Sequence, residues 1–460
     1  MDIRKNAVAY ARGHQTEALE ALKELVRIPS VSTYADSGKE MRRAADWLAA
    51  RLRGLGASAQ VHETAGHPVV YGEVPAAIPG KPTILVYGHY DVQPPDPLDL
   101  WKSPPYEPEE RDGNLYGRGA SDMKGQVVAC VQAVEAVLAQ GPAPVNLKFI
   151  IEGEEEIGSA NLPAFLSQHK EMLACDIVLN ADGGMISPEH PTIIYGLRGL
   201  AYFELRVTGP AHDLHSGSFG GVVHNPANAL CELIAGMHDE QGRVTLPGFY
   251  DAVQPLSDEE RRQMARLPMG EDFYLQATGV PALKGEQGFI PAEQTGGRPT
   301  LDVHGLLSGF VEEGRKTVIP AWAMAKISCR LVPNQQPDEI HQALLRYLEA
   351  NAPASIHWDL TYFGGGPAVI SELDLPQVRS FAQALETVWG VAPLYKREGG
   401  SIPVVTDMRS ILGVPSVITG FGLPDDNIHA PNEKLNLANW YRGIEAVIHF
   451  IYNMAGEHGL

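Results

Sequence analysis

The sequence predicts an α/β protein in which a doubly wound mixed sheet forms a large domain and a smaller α+β domain is inserted into it. The chain has 460 residues, which is enough for two compact domains. Its N-terminal part alternates apolar runs with helical patterns, which is typical of a sheet covered by helices. The texture changes after residue 182 and resumes near the C-terminus, so the middle block is predicted to be a separate domain.

The N-terminal part begins with two amphipathic helices and continues with strands that alternate with helices. Apolar residues recur at helical spacing, first at Leu19, Leu22, Leu25 and Val26 and then at Met41, Ala45, Leu48 and Leu52. Apolar runs predict buried strands at 83–89, 145–151 and 175–182, separated by helices at 125–140 and 162–170. In such sheets ligands bind beyond the carboxyl ends of the strands.

The middle block mixes strands and helices in a different order. Strands are predicted within 192–209 and at 323–334, helices at 225–239 and 337–351, and residues 240–300 are rich in loops. The glycines and proline of "FGGGPAV" suggest a hinge near residue 366. We therefore predict a catalytic domain from residues 1–193 and 367–460, with residues 194–366 inserted as the smaller domain.

Composition excludes several classes of partner. The net charge is −20, and because nucleic acids and anionic membranes bind positive surfaces, neither is expected as a partner. No stretch approaches the roughly 20 apolar residues of a membrane span, and the N-terminus does not resemble a signal peptide. The four cysteines form no CxxC motif, and Cys130 and Cys231 are expected in the core. A cytoplasmic protein is predicted.

Histidine and carboxylate side chains follow the predicted strands at the edge where a site is expected. They are His89 and Asp91, the loop residue Asp122, the cluster Glu152, Glu154, Glu155 and Glu156, and Asp182. One such residue is usually a turn or cap residue, but four occurrences at one edge indicate a metal site. Mixed imidazole and carboxylate ligands suit zinc and, less selectively, manganese or cobalt.

The chemistry of such a cluster favours hydrolysis. A carboxylate that bridges two ions roughly 3.5–4 Å apart makes a hydrolytic site, whereas the HExxH, GxSxG and P-loop motifs are absent from the sequence. Spacing does not separate the roles of the glutamates. In an extended strand Glu155 would face away from Glu156, so both reach one site only if the chain turns there.

Seven motifs in order carry a resemblance to a known family. They are "GHYDVQP", "LYGRGASDMKG", "EGEEEIGS", "HDLHSG", "CRLVPN", "REGGSIPV" and "IHAPNEKL". Together they resemble the co-catalytic dizinc metallopeptidase family that includes aminoacylase, carboxypeptidase G and the carnosinases, and most of all its cytosolic nonspecific dipeptidases. The resemblance covers nearly the whole chain.

The resemblance implies a role for each matching residue. It implies two zinc ions per subunit, with ligands His89, Asp182, Glu156 and His429 and with Asp122 as the bridging ligand. It makes Glu155 the general base and Asp91 the carboxylate that orients His89. It also implies a cis peptide bond between Asp122 and Met123.

The inserted domain is expected to recognise the substrate. By resemblance it is a lid and dimerisation domain of a homodimer, in which His215 reaches the active site of the partner subunit. Thr317 and Arg330 match residues that hold the end of the substrate, and Ser401 is a further substrate-binding candidate. The implied substrate is a dipeptide with a free C-terminal carboxylate, which an arginine can bind through two hydrogen bonds.

Three other functions are alternatives to dipeptide hydrolysis. The same machinery could remove the acyl group of N-acyl amino acids. A binding protein without activity is disfavoured because the base and every ligand are present. A phosphoester hydrolase is disfavoured because few cations lie near the ligands in the sequence.

Overall fold

The computed structural model describes residues 2–400 and 402–456 of the chain. The chain divides into two compact units. Unit 1 comprises residues 1–195, 371–395 and 403–460, and unit 2 comprises residues 196–370 and 396–402. Unit 2 therefore includes a short segment, 396–402, that the sequence had assigned to the second part of the catalytic domain.

Helices and strands alternate through both units. The helices are α1 Ile3–Gly13, α2 Gln15–Val26, α3 Gly38–Gly54, α4 Lys124–Leu138, α5 Leu162–Gln168, α6 Lys170–Leu173, α7 Ser216–Phe219, α8 Pro226–Gly236, α9 Asp258–Ala265, α10 Glu271–Thr278, α11 Pro291–Gly296, α12 Pro337–Asn351, α13 Pro376–Trp389, α14 Pro403–Asp407 and α15 Leu437–Met454. The strands are β1 Ser58–His62, β2 Val69–Val74, β3 Thr83–His89, β4 Glu109–Arg111, β5 Asn114–Tyr116, β6 Asn146–Glu152, β7 Ile177–Asn180, β8 Thr192–Leu197, β9 Gly199–Thr208, β10 Leu214–His215, β11 Thr300–Ser308, β12 Val318–Ile319, β13 Trp322–Leu331, β14 His357–Gly366, β15 Val369–Ile370, β16 Leu394–Glu398, β17 Ser416–Ile418 and β18 Lys434–Asn436.

The main sheet of unit 1 is mixed. Its strands lie in the order β1-β2-β6-β3-β7-β17-β8. Strands β6, β3, β7 and β17 are parallel, whereas β1, β2 and β8 pair antiparallel to their neighbours. The parallel strands are buried along almost their whole length, as their continuous apolar sequences require. The predicted α/β class and mixed sheet are confirmed.

Helix α4 is buried nearly all round and packs against α1, α2 and α15. Its first turn approaches the preceding loop so closely that a Cβ atom at Gly125 would lie 2.2 Å from the Ala120 carbonyl oxygen. The indole Nε1 of Trp440, on α15, donates a hydrogen bond of 2.7 Å to the Gly125 carbonyl oxygen. This contact holds α15 against the start of α4, immediately after the loop that carries Asp122.

Replacing Trp440 with Ala is expected to lower the free energy of unfolding by about 3–5 kcal/mol, because it leaves a large cavity in the core. Trp440 is fully buried, and its loss also removes the hydrogen-bond donor to Gly125. Denaturant unfolding of the metal-free protein, followed by circular dichroism, measures the change. Trp389→Ala is the control, since Trp389 is only half-buried. Equal losses for the two variants would contradict the assignment of Trp440 to the core.

Unit 2 is built on an antiparallel sheet of order β11-β13-β9-β14. Along β9 the buried residues Ala201, Phe203, Leu205 and Val207 alternate with more exposed ones. The buried face packs against helices α8 and α12. This alternation is typical of an antiparallel sheet that is covered on one face, and it gives unit 2 an α+β core of its own.

Several sequence-based expectations differ from the structure in detail. A helix, α1, precedes the two that were predicted, and residues 240–300 contain three short helices, α9–α11. The glycines at 364–366 lie within strand β14, where the register with β9 shifts, because glycine lets a strand bulge without breaking it. Cys130 is buried as expected, but Cys231 is exposed because it lies on the outer side of α8.

Candidate metal centre

The predicted ligands in unit 1 come from loops that follow its strands. His89 is the last residue of β3, Asp182 lies two residues beyond β7, and Asp122 lies in the loop before α4. His429 lies between β17 and β18 in the left-handed region, with φ 61°. After β6 the chain turns into a 3₁₀ helix at Glu155–Ile157 that ends at Gly158, with φ 90°. The turn required to bring Glu155 and Glu156 together is therefore present.

A first cluster is formed by His89, Asp122 and Asp182, whose ligand atoms lie within 4.8 Å of one another. The Nε2 atom of His89 is 3.2 Å from Oδ1 of Asp122 and 3.8 Å from Oδ1 of Asp182. The imidazole is fully buried, and both carboxylates are mostly buried. Mixed imidazole and carboxylate donors at this spacing suit a divalent transition-metal ion.

A second cluster is formed by Asp122, Glu156 and His429. Here the Nε2 atom of His429 is 2.9 Å from Oδ2 of Asp122 and 3.2 Å from Oε2 of Glu156. Asp122 thus faces one histidine with each of its two carboxylate oxygens. A carboxylate in this arrangement can bridge two ions, which is the role that the resemblance implies for it.

The pKa values of the clustered carboxylates and histidines are shifted in the way expected of a site that binds cations. Burial raises the pKa of the Asp182 carboxyl, and the neighbouring carboxylates of Asp122 and Glu156 add to this effect. Hydrogen bonds to Asp122 and Glu156 raise the pKa of His429 to about 10. Without metal, protons on the histidines would have to neutralise the carboxylates. A metal ion would replace these protons, since a ligating histidine is neutral.

Asp91 connects the two clusters to the turn that follows β6. Its carboxylate lies 3.4 Å from the Nδ1 atom of His89, and its backbone oxygen is 3.0 Å from the same atom. The two carboxylate oxygens also accept hydrogen bonds from the backbone N–H groups of Glu155, at 3.2 Å, and Glu156, at 3.0 Å. Asp91 therefore contacts the imidazole with its backbone oxygen and its carboxylate, and the carboxylate fixes the turn.

The four glutamates after β6 have different surroundings. Burial raises the pKa of Glu155 to about 8, and the carboxylates of Asp182 and Glu156 add to this effect. Glu152 is buried and accepts hydrogen bonds of 2.9 Å from the hydroxyls of Tyr87 and Ser159. Glu154 is buried and accepts hydrogen bonds from the N–H of His67 and the side chain of Asn161. Glu152 and Glu154 thus have hydrogen-bond partners outside the two clusters.

Comparisons with known proteins identify the family. Residues 85–453 match the family described as Peptidase family M20/M25/M40. The chain belongs to this family. It is a hydrolase of the metallopeptidase class, and the resemblance found in the motifs is confirmed.

The similar proteins include two dipeptidases and a carboxypeptidase. The Beta-Ala-His dipeptidase of Homo sapiens is 34% identical, over 97% of this chain and 91% of that protein. The Cys-Gly metallodipeptidase of Candida albicans is 31% identical, over 93% of each. Among solved structures, an M20 family metallo-carboxypeptidase from Sulfolobus solfataricus has a TM-score of 0.85 at 33% identity, covering 95% of this chain and 99% of that one.

The remaining site candidates of this M20 family member lie in unit 2 or outside the described residues. His215 ends β10, is exposed, and accepts a hydrogen bond of 3.0 Å from the N–H of Gly217 through Nδ1. The carbonyl oxygen of Thr317 accepts a hydrogen bond of 3.1 Å from the N–H of Ser216, so the two segments are adjacent. Arg330 is half-buried on β13, opposite Leu200 of β9. Ser401 lies outside the described residues.

Two residues near the M20 ligands were missed in the sequence. Gln93 donates a hydrogen bond of 2.8 Å from Nε2 to the Glu156 carboxylate. Glu433 accepts hydrogen bonds from the loop that carries Asp122. Both lie inside quoted motifs, "GHYDVQP" and "IHAPNEKL". Gln93 is neither an imidazole nor a carboxylate, and Glu433 precedes strand β18 instead of following a strand. The cis peptide bond between Asp122 and Met123 is present.

Proposed function

We propose that this protein is a dinuclear metallo-dipeptidase that hydrolyses dipeptides with a free C-terminal carboxylate. The observation that carries the proposal is the pair of ligand clusters that share Asp122, with the backbone of Glu155 held by Asp91 next to the ligand Glu156. The named activities of the human Beta-Ala-His dipeptidase and the Candida albicans Cys-Gly metallodipeptidase support a dipeptide as substrate.

We propose two zinc ions per subunit, with manganese or cobalt as alternatives. His89 and Asp182 would hold one ion, Glu156 and His429 the other, and Asp122 both. The support for this assignment is the donor set of each cluster, which combines one imidazole with two carboxylates. Such ions, when bound, polarise a water molecule and the scissile carbonyl.

Glu155 is the proposed general base. Its backbone N–H is fixed by Asp91, and its half-buried side chain lies near His89 and Asp182. It accepts a proton from the attacking water and returns it to the leaving amine. Asp91 keeps the Nε2 atom of His89 directed at Asp122 and at the same time holds the turn that carries the base.

Recognition of the substrate is proposed for residues 194–366, as an inserted lid and dimerisation domain. Arg330 would bind the C-terminal carboxylate of the peptide, with Thr317 and Ser401 as further contacts, and this limits the length of the substrate. A hinge near residues 194 and 366 would let this domain close over the substrate. These roles rest on the motif resemblance.

A homodimer is proposed, in which His215 of one subunit stabilises the oxyanion in the active site of the other. The exposure of the His215 side chain supports this role, because a donor for another subunit must be accessible.

We also propose that the enzyme works in the cytoplasm. All four cysteines are free thiols, which fits a reducing compartment. In the part of the chain that the structure describes, no helix combines the length and apolar character needed to cross a bilayer.

Mixing His215→Ala protein with Glu155→Ala protein is expected to restore activity. If His215 acts across subunits, one of the two sites in each hybrid dimer has neither defect, so random exchange gives about a quarter of wild-type turnover. Turnover is measured before and after mixing, and native mass spectrometry verifies subunit exchange. Two inactive parents that exchange subunits without regaining activity would contradict action in trans.

A substrate panel tests the proposed reaction. The metal-free protein is expected to be inactive towards dipeptides, tripeptides and N-acetyl amino acids, and to regain dipeptide hydrolysis when zinc, manganese or cobalt is added. N-acetyl amino acids test the deacylase alternative. Release of C-terminal residues from longer peptides would instead favour a carboxypeptidase, an alternative supported by the likeness to the Sulfolobus solfataricus structure. Absence of metal-dependent amide hydrolysis across the panel would contradict the proposal.

A further inference from the structure

The buried carboxylate of Glu433 holds the loop that carries Asp122. Its Oε1 atom accepts hydrogen bonds from the backbone N–H groups of Ser121, at 3.0 Å, and Asp122, at 3.1 Å. Its Oε2 atom accepts from the N–H of Gly119, at 2.9 Å, and from the guanidinium of Arg118, at 2.7 Å. Glu433 is fully buried, so these four hydrogen bonds are shielded from bulk solvent.

Glu433 also ends the loop that carries His429. Three residues of that loop, Asn427, His429 and Asn432, have left-handed φ angles between 55° and 63°. Residues other than glycine are uncommon in the left-handed region, although Asn and His adopt it more readily than most. The backbone oxygen of Glu433 accepts a hydrogen bond of 3.0 Å from the N–H of Gly117. The same residue therefore fixes the far end of this loop to the segment before Asp122.

The Arg118 guanidinium extends the connection. It is almost completely buried, and besides the ion pair with Glu433 it donates to the carbonyl oxygen of Ala430, at 3.4 Å, which is the residue after His429. A second buried carboxylate, Asp426, accepts a hydrogen bond of 2.8 Å from the hydroxyl of Ser121. The loops of Asp122 and His429 are thus joined at several points beneath the ligands.

We propose that Glu433 is a positioning residue for the dinuclear centre, which sets the place of the bridging ligand Asp122 and of the ligand His429 before metal binds. This inference rests on the proposed metal assignment. Glu433 forms no hydrogen bond with the ligand atoms of either cluster, and acts through the backbone amides of Gly119, Ser121 and Asp122. Because Asp122 belongs to both clusters, misplacing it weakens both sites.

The substitution Glu433→Gln tests this role. The amide of glutamine has one acceptor oxygen and one NH₂ group, and the NH₂ group cannot accept from the N–H donors that face it. At least two donors beneath Asp122 then lose their acceptor. We expect the dissociation constants of both metals to rise by about 10–100-fold, as is usual for residues that support metal ligands. Zinc titration of the metal-free protein, with a competing chelator, measures them.

Glu286→Gln is the matched control. Glu286 is a buried glutamate that binds Arg298 through two hydrogen bonds of 2.7 Å, and it lies in unit 2. Both variants are expected to melt at a lower temperature as metal-free proteins, but only Glu433→Gln should lose zinc affinity. A folded Glu433→Gln protein with zinc affinity within twofold of wild type would overturn the inference. A wild-type protein that binds no zinc would overturn the proposed function itself.

Hydrogen exchange provides a test that needs no variant. If Glu433 orders the loop before metal binds, the amides of Gly119, Ser121 and Asp122 are protected in the metal-free wild-type protein. Exchange of these amides at the rate of an unstructured chain, with protection gained only on adding zinc, would show that the metal orders the loop and would overturn the inference.

Discussion

Replacing Glu155 with Gln is expected to lower kcat for dipeptide hydrolysis by about 10³-fold while leaving both metal ions bound. Glutamine retains the shape of the side chain but cannot accept the proton of the attacking water. The backbone N–H of residue 155 still donates to Asp91, so the turn and the ligand Glu156 stay in place. Turnover at saturating substrate and metal content by mass spectrometry are measured on the same sample.

Glu156→Gln is the matched control for this change, since it is an identical substitution at the next residue. Glu156 lies 3.2 Å from His429 and belongs to the second cluster, so its loss is expected to weaken one metal ion. The first variant should therefore be metal-replete and inactive, and the second metal-depleted. Loss of metal from Glu155→Gln, with full retention by Glu156→Gln, would mean that the two roles are reversed.

Asp122→Asn is expected to cause the largest loss of metal of any single substitution in the centre. Each carboxylate oxygen of Asp122 faces a different histidine, so removing its charge affects both clusters. Asp182→Asn affects only the first cluster and is expected to cost one ion of two. Equilibrium dialysis against zinc counts the ions, and turnover of both variants is measured alongside.

The wild-type protein should also gain thermal stability from zinc, because a ligand that binds only the folded state stabilises it. Asp122→Asn is expected to abolish this gain, and Asp182→Asn to reduce it. An Asp122→Asn protein that still binds two ions would exclude Asp122 as the bridging ligand. The comparison uses metal-free proteins as the baseline, so a general effect of either substitution on folding does not affect the result.

Periodicity and strand ends predicted much of unit 1. The apolar runs of β3 and β6 are continuous because these strands are buried in a parallel sheet, and their boundaries were predicted to within a residue. Ligands bind beyond the carboxyl ends of the strands in such sheets, which predicted His89, Asp122 and Asp182 as ligands. The fold brings these three side chains within ligand distance. His429, in contrast, lies in the loop between β17 and β18, away from a strand end, and was identified only by its motif.

Long-range contacts could not be predicted in this way. Glu433 is one of 56 acidic residues, and its partners lie more than 300 positions earlier in the chain. Only the folded backbone shows that the N–H groups of Gly119, Ser121 and Asp122 converge on it. Similarly, the glycines at 364–366 predicted a hinge, but the sequence did not indicate that Gly365 and Gly366 pair with β9 at the end of β14. Local propensity does not include the hydrogen bonds that a neighbouring strand supplies.

The chain keeps the proposed metal ligands and the base in unit 1, whereas Arg330, Thr317 and His215 lie in unit 2, which has a separate core. Substitutions at Arg330 and Thr317, the proposed substrate contacts, are therefore expected to leave the folding of the ligand cluster largely untouched. Selection can then change which peptides are accepted without first passing through inactive intermediates. With this division of residues between the two units, substrate specificity can change while the chemical reaction stays the same. Directed evolution of selectivity would therefore start from unit 2.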